Sequence, residues 1–490
     1  MKNDQSVVSI NKWFGIFATI HVLFWSAVPF LVRFTLPVDA LEGSIWGRYF
    51  ALGYDKNPFM NAWLTRLALT LGHSGWAIYL FGQLFVAICF WAVFQLGKKI
   101  LSPVHALISV VLLEFISSYN IDSIDFDDNI LELGFWALTI YFFYNALKKQ
   151  KILDWFLVGL FAACSLMTKY YAPVLFLPMF LFLVFNKENW MSFKKPGLYI
   201  AILTCVLLSA PHFIWLFFHD FVTLKYAFVR VSGDFSWVYH FIYPWTFTKP
   251  MLEALIFPLV IFGTLYIGKN SGKIISEKRE VTRYQWQFLC WMGFGPFFIT
   301  VLMSLIGGIS LHAAWGQPLL SLWGIILVAF FQPIITVRKF YRFMAIVFIL
   351  LALGLSFYVY SLMKPGCTSS ANYPGEVMAN ELTNTWHQQY QTKLSYVIGS
   401  RWEANNIGFY SKDRPEVFIN ANKEVSFWIN ENDLKRKGAL LIWDANKSFD
   451  QQFVKLFPHM KNSEIKTFYY LRSHGKKSIK VGIAFLPPKK

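Results

Sequence analysis

About eleven stretches of this chain are apolar over the 17–25 residues that a helix needs to cross a bilayer: 13–36, 75–97, 103–119, 129–147, 153–169, 171–186, 197–217, 251–268, 285–306, 311–331 and 343–363. Within lipid only a segment that satisfies its own backbone is viable, so runs of this length read as helices. The expected fold is mainly α, a polytopic membrane protein. Composition agrees: 56% of residues are hydrophobic and 15% charged, against roughly a quarter charged in soluble domains. The first run has no small-residue cleavage site behind it and is expected to stay as a helix.

A net charge of +17 in a soluble chain would raise the question of nucleic acid. Here its distribution answers that question, and no nucleic-acid partner is expected. With the N-terminus inside, alternate loops hold Lys98 and Lys99, then Lys148, Lys149 and Lys151, then the basic segments 186–196, 268–283 and 337–342. Lys and Arg gather in this way on the cytoplasmic side. The opposite loops carry Asp39, Glu42, Asp55, Asp122, Asp125, Asp127, Asp128 and Asp220. The two sets separate by sign, which predicts an N-in topology with everything after the last span outside.

Residues 1–363 thus read as a transmembrane domain and 364–490 as a small extracytoplasmic α/β domain. In the latter, strand-like alternation appears at 394–398, 417–420, 439–443, 466–471 and 480–485, and helical patterns at 375–390 and 449–457. Cys89, Cys164, Cys205 and Cys290 lie in apolar runs and Cys367 stands alone, so no disulfide framework or zinc spacing is present.

Ionisable groups at membrane depth are costly and are candidates for function. They collect on the outer side. The stretch 37–63 places Asp39 and Glu42 on one helical face, a candidate catalytic pair; the same spacing also fits a capping box. Tyr54, Asp55 and Lys56 precede Pro58, which favours an extended residue before it and a helix start after it. Lys56 is a compact cation suited to phosphate or to lipid head groups. Tyr54 is a candidate substrate contact and Asp55 a candidate ligand for a divalent metal cation. In 118–129, SYNIDSIDFDDN, the residues Asp127, Asp128 and Asn129 adjoin the next helix and are expected to face substrate, while Asp122 and Asp125 are expected in solvent. Lys169 ends an apolar run whose other charge, Asp154, lies at the far end, and is a candidate phosphate contact or interfacial anchor, with Tyr170 beside it as a substrate contact. His219 is a second candidate metal ligand and Arg230 a third phosphate contact; His212 and His312 are more distant candidates.

Outside the cytoplasm there is no pool of ATP or nucleotide sugars, so group transfer there takes a donor delivered in the membrane. Carboxylates beside lysines, walled by Trp and Tyr, fit a lipid-phosphate sugar. The cations hold the departing phosphate and a carboxylate activates the acceptor.

These motifs, in order, resemble the bacterial branch of the C-type membrane glycosyltransferases, which includes relatives of protein O-mannosyltransferases and of the aminoarabinose-to-lipid-A transferase. The resemblance rests on Asp39-x-x-Glu42, on Gly53-Tyr54-Asp55-Lys56-Asn57-Pro58, and on Asp127-Asp128-Asn129. Thr168-Lys169-Tyr170, Pro211 with Trp215, His219-Asp220 and His312-x-x-Trp315 extend it. It implies inverting transfer from a polyprenyl-phosphate sugar, with Asp39 as catalytic carboxylate and Lys56, Lys169 and Arg230 on the lipid phosphate. It further implies a glycolipid acceptor such as lipid A or a protein acceptor, in a bacterial inner membrane with the site facing the periplasm. Many members carry two prolines where this chain reads Lys56-Asn57-Pro58, which leaves metal use and subgroup open. A lipid or sugar transporter is the main competing reading. It would be expected to show repeated halves and mid-span charges; no internal repeat is evident, and the charges singled out above sit at one face. A ligase of complete oligosaccharides and a simple membrane anchor for the C-terminal domain are the others.

Overall fold

The computed structural model describes residues 9–72, 74–233, 236–276, 278–447, 461–473 and 475–489. Helix α1 (Ile10–Val32) gives way at Arg33 to extended backbone. The short α2 (Val38–Trp46) and α3 (Met60–Thr70) flank a turn closed by a bridge between Gly53 and Pro58. Next come α4 (Trp76–Ile100) and α5 (Pro103–Val111). The latter starts where Ser102 accepts the His105 N–H and Pro103 fills the first turn. Beyond Phe115 the chain bends by 96° into 117–124. Asp127 then caps α6 (Asp128–Lys149), which leads to α7 (Ile152–Leu166), α8 (Pro173–Phe185), α9 (Pro196–Phe218), α10 (Val222–Val231) and α11 (Tyr239–Gly263). A Thr282–Gln285 capping box opens α12 (Arg283–Gly293). Three more follow: α13 (Gly295–Gly307), α14 (Trp323–Phe331) and α15 (Val337–Met363).

Among the described residues, seven stretches are long and apolar enough to cross a membrane, and up to ten if each of three bent pairs is one span. The 15-residue α7 coincides with one more apolar run of the sequence. This is a multi-pass membrane protein. Two stretches lie in candidate spans as expected but differ in detail. Helix α11 begins at Tyr239, ahead of the apolar run at 251, because its first turns, YHFIYPWTFTKP, mix aromatics with Pro and Lys. The 285–306 run is two helices. Pro296 has no N–H to continue the first, so a new helix starts there.

Most of α6 is buried, whereas most of α1 and of α9 is not, so α6 runs through the middle of the bundle. Helices in lipid gain little from the hydrophobic effect and are held by close packing and polar contacts. Gly159 on α7 shows how close: a Cβ there would lie 2.3 Å from the Ala201 carbonyl of α9.

The C-terminal part comprises α16 (Gly375–Tyr390), β1 (Tyr396–Gly399), α17 (Arg401–Tyr410), β2 (Glu416–Ile419), α18 (Glu431–Lys437), β3 (Ala439–Asp444), β4 (Lys461–Tyr469) and β5 (Ser478–Leu486). Its sheet has the order β2-β1-β3-β5-β4. Strand β1 is parallel to both neighbours and β5 antiparallel to both of its own. Each strand overlaps a stretch that alternation predicted; the helical pattern at 449–457 lies outside the described residues. Neither α17 nor α18 is foreshadowed. The α17 sequence RWEANNIGFY carries Gly and two Asn, poor helix formers.

This part is stitched to the stretch that follows α1. The Phe34 N–H donates to the Ala371 carbonyl at 2.8 Å and the Thr35 hydroxyl to the Tyr373 carbonyl at 2.6 Å. Tyr410 accepts the Leu36 N–H at 2.8 Å, and Arg48 donates to the Pro415 carbonyl at 2.9 Å. The segment that carries Asp39 is therefore fixed from above as well as from the bundle.

Candidate active site

Pro37, not Asp39, holds the N-cap position of α2, so the capping-box reading of Asp39 and Glu42 falls. The free N–H groups of that first turn go to Asp125, with the Ala40 N–H at 2.9 Å and the Asp39 N–H at 3.4 Å from its carboxylate. An anion there is favoured by the unpaired donors and the helix dipole. Asp125 was expected in solvent; it is instead half-buried and serves as an external cap, whereas Asp122 is exposed as expected.

That arrangement holds the Asp39 side chain among like charges. No group among the described residues donates to its carboxylate. Burial, then Asp125, Glu42 and Asp128, pushes its pKa up to about 7, with Lys56 opposing. Asp39 is thus an unsatisfied carboxylate poised to take a proton near neutral pH.

Glu42, expected as a catalytic partner, has both oxygens engaged. Lys56 Nζ lies 2.8 Å from Oε2 and Arg401 donates to Oε1. Arg401 also donates to Asp55 Oδ2 at 2.6 Å. Glu42 is therefore a supporting residue. Burial raises the pKa of Asp55, and Arg401 opposes this. Asp55 Oδ1 is buried without a partner among the described residues, so a donor from a bound molecule would satisfy it. Sequence reading missed Arg401 altogether, since it lies in a helix without amphipathic signature.

A second basic element faces the first. Lys169 Nζ lies 2.9 Å from Asp128, donates to Asn129 and sits 5.2 Å from the Trp315 ring centre. Asn57 links the two elements, its amide 3.4 Å from Asp128. Lys169 and Arg230 both lie close enough to His312 to act on its charge, and Arg230 is exposed. The structure therefore gathers Lys56 and Lys169 around the carboxylates, with Arg230 at the edge.

Several expected contacts prove structural. Tyr54 is fully buried, stacks on Trp46 with centroids 5.1 Å apart, and donates its hydroxyl to the Tyr49 carbonyl at 2.5 Å. It is a wall of the loop, not a substrate contact. Asp127 gives one oxygen to the Ile130 N–H and the other to Asn129, so the helix cap consumes it. The Tyr170 hydroxyl pairs with His212 Nε2 at 2.5 Å, and His212 Nδ1 meets the Leu52 carbonyl at 2.6 Å. A carbonyl only accepts, so the proton of His212 is on Nδ1, and Tyr170 donates to Nε2. This pair holds the Leu52–Gly53 turn, where a Cβ on Gly53 would lie 2.5 Å from the Trp215 ring.

The metal expectation does not fit. His219 stacks on Trp215 at 4.0 Å and directs Nδ1 to the Trp215 carbonyl at 2.8 Å, while Asp55 pairs with Arg401. Among the described residues no group of three His, Cys, Asp or Glu could hold a metal ion.

A cavity of about 550 Å³ is lined by Arg33, Asp122, Asp125, Asp127, Asn129 and Gln317 among others. An apolar groove of similar volume runs between α7 and α9, lined by Leu166, Val206, Ala210, Phe213 and Phe217.

This architecture is similar to that of ArnT from Cupriavidus metallidurans bound to undecaprenyl phosphate, with 12% identity, 97% of this chain and 98% of that chain covered, and a TM-score of 0.61. For apo ArnT the values are 13%, 98%, 99% and 0.59. The chain has the C-type membrane glycosyltransferase fold. Within this glycosyltransferase fold, residues 56–215 match the family model described as dolichyl-phosphate-mannose-protein mannosyltransferase. That segment begins at Lys56 and includes Asp128, Lys169 and His212. No curated protein matches the chain in sequence.

Proposed function

We propose that this protein transfers a sugar from a polyprenyl-phosphate donor to an envelope acceptor at the outer face of a bacterial inner membrane. The observation that carries the reading is Asp39, a carboxylate with no hydrogen-bond donor among the described residues, near Lys56, whose pKa is raised to about 7. The fold shared with a protein bound to undecaprenyl phosphate supports a lipid-phosphate donor.

In this reading an acceptor hydroxyl enters through the acidic cavity and lies against Asp39. As its oxygen attacks the anomeric carbon, the bond from that carbon to the phosphate oxygen breaks with inversion. The hydroxyl proton passes to Asp39, and the lipid phosphate leaves with one more negative charge. Lys56 and Lys169 stabilise that charge where it develops. The apolar groove lined by Leu166, Phe213 and Phe217 suits the polyprenyl chain. Where the acceptor is itself a phosphate, no proton is taken and Asp39 orients the acceptor.

A glycolipid such as lipid A is the favoured acceptor, and protein hydroxyls are the second reading because of the mannosyltransferase family match. Mass spectrometry of lipid A from cells with and without the gene tests the first: loss of a glycosyl mass on deletion is expected. An unchanged lipid A profile together with lost protein glycosylation moves the acceptor to protein. Purified protein that transfers nothing from any polyprenyl-phosphate sugar overturns the reading.

A further inference from the structure

Glu42 and Asp55 come from different turns of the first outer stretch, and both are almost fully buried, with side chains 4% and 6% exposed. Two buried carboxylates brought to one point require a cation between them, because each loses its hydration there. A divalent ion bound by oxygen ligands is one solution. Here Arg401 bridges them, one guanidinium nitrogen to each carboxylate. It comes from the first turn of α17, more than three hundred positions along the chain. Carboxylate pairs match the guanidinium fork, which stays charged at every accessible pH.

The charge balance shows what this does for Lys56. With Arg401 present, two carboxylates face two cations, and Glu42 divides its charge between them. Without Arg401 the cluster carries a net negative charge, and Lys56 would be drawn fully onto Glu42. A phosphate approaching Lys56 would then meet an anionic wall.

We infer that Arg401 is the built-in cation of the donor-phosphate site, occupying the place between Glu42 and Asp55 that a divalent metal ion would otherwise take and leaving Lys56 available to lipid phosphate. The inference rests on the lipid-phosphate reading above. Arg401 is a positioning residue that acts through the two carboxylates and Lys56.

The test uses the full chain in lipid nanodiscs. Undecaprenyl phosphate is titrated by tryptophan fluorescence with EDTA or with Mn²⁺, and bound Mn²⁺ is read by electron paramagnetic resonance. Wild-type protein is expected to bind the lipid phosphate equally under both conditions and to hold no Mn²⁺. Arg401→Ala is expected to weaken lipid-phosphate binding about tenfold or more, the effect of losing a charge-assisted contact, and to raise KM for the donor more than it lowers kcat. It should also gain one Mn²⁺ per chain, lost again when Asp55→Asn is added, with Mn²⁺ restoring part of the affinity. Arg401→Lys should retain most of the wild-type binding.

Wild-type Mn²⁺ binding that Asp55→Asn abolishes, or lipid-phosphate binding that EDTA removes, overturns the inference without need of an Arg401 variant. So does Arg401→Ala protein that binds lipid phosphate as wild type does. Failure of the wild type to bind undecaprenyl phosphate at all overturns the lipid-phosphate reading, and with it the part assigned to Arg401 in that site.

Discussion

The two halves of the site differ in how their charges are settled. Around Glu42 and Asp55 every carboxylate has a cation: Lys56 and Arg401 answer them one for one. Around Asp39 the count is lopsided, with Asp125, Glu42 and Asp128 all raising its pKa. The settled half is charge-balanced, its carboxylates already paired. The unsettled half keeps one carboxylate ready to accept a proton. Geometry alone would not distinguish them, since both are short outer turns rich in Asp and Glu. What separates roles is whether a carboxylate already has its counter-ion.

The largest effect should come from removing the unsettled base. Asp39→Asn keeps the shape and loses the proton acceptor, so kcat should fall by about 10²–10⁴, the usual contribution of a positioned general base. Transfer assays on protein of normal expression check this, and retained activity would dissolve the contrast between the halves. Next, Lys56→Ala and Lys169→Ala each remove a cation from a carboxylate and from the proposed phosphate. A charge-assisted hydrogen bond contributes about 1.5–3 kcal/mol, so kcat/KM should drop roughly 10- to 100-fold, again by transfer assay. A purely anchoring lysine would leave it unchanged.

A stability experiment probes the settled half from behind. Gly53→Ala puts a methyl 2.5 Å from the Trp215 ring, and overpacking of this kind costs about 1–3 kcal/mol. The thermal unfolding midpoint should fall. The smallest effect is a displacement of the pH profile. With the Asp39 pKa raised to about 7, its base form is lost as pH drops through neutrality, so kcat/KM should decline below about pH 7. Asp125→Asn removes one of the charges that raise that pKa while keeping an acceptor for the α2 N–H groups. The acid limb should therefore move to lower pH. A limb that stays in place would mean that Asp125 does not act on the base.

Much of this was legible in the sequence. The long apolar runs appear as helices, and Asp39 and Lys56 of one stretch meet Asp128 and Lys169 from two others. Hydropathy is a property of whole segments, so it survives without knowledge of packing. What failed depended on partners. Asp125 looked like one more solvated aspartate, because nothing local reveals that the N-terminus of α2 will need an external cap. Tyr54 and Asp127 have the right chemistry for substrate, yet their polar atoms are consumed by neighbouring backbone and side-chain groups. His219 suggested a metal, but it stacks on Trp215. Arg401 was invisible for a related reason: α17 shows no periodic face, and its partners lie at the opposite end of the chain.

That separation has a consequence for how the protein comes into being. Arg401 meets Glu42 across 359 positions, a contact of very long sequence separation that can form only after the loop between them has closed. The bundle helices are synthesised first, and the C-terminal sheet, whose α17 brings the guanidinium, is made last. Until then Glu42 and Asp55 have one lysine between them. Competence thus arrives with the final quarter of the polypeptide, so truncated or half-made chains would occupy the membrane without an assembled centre.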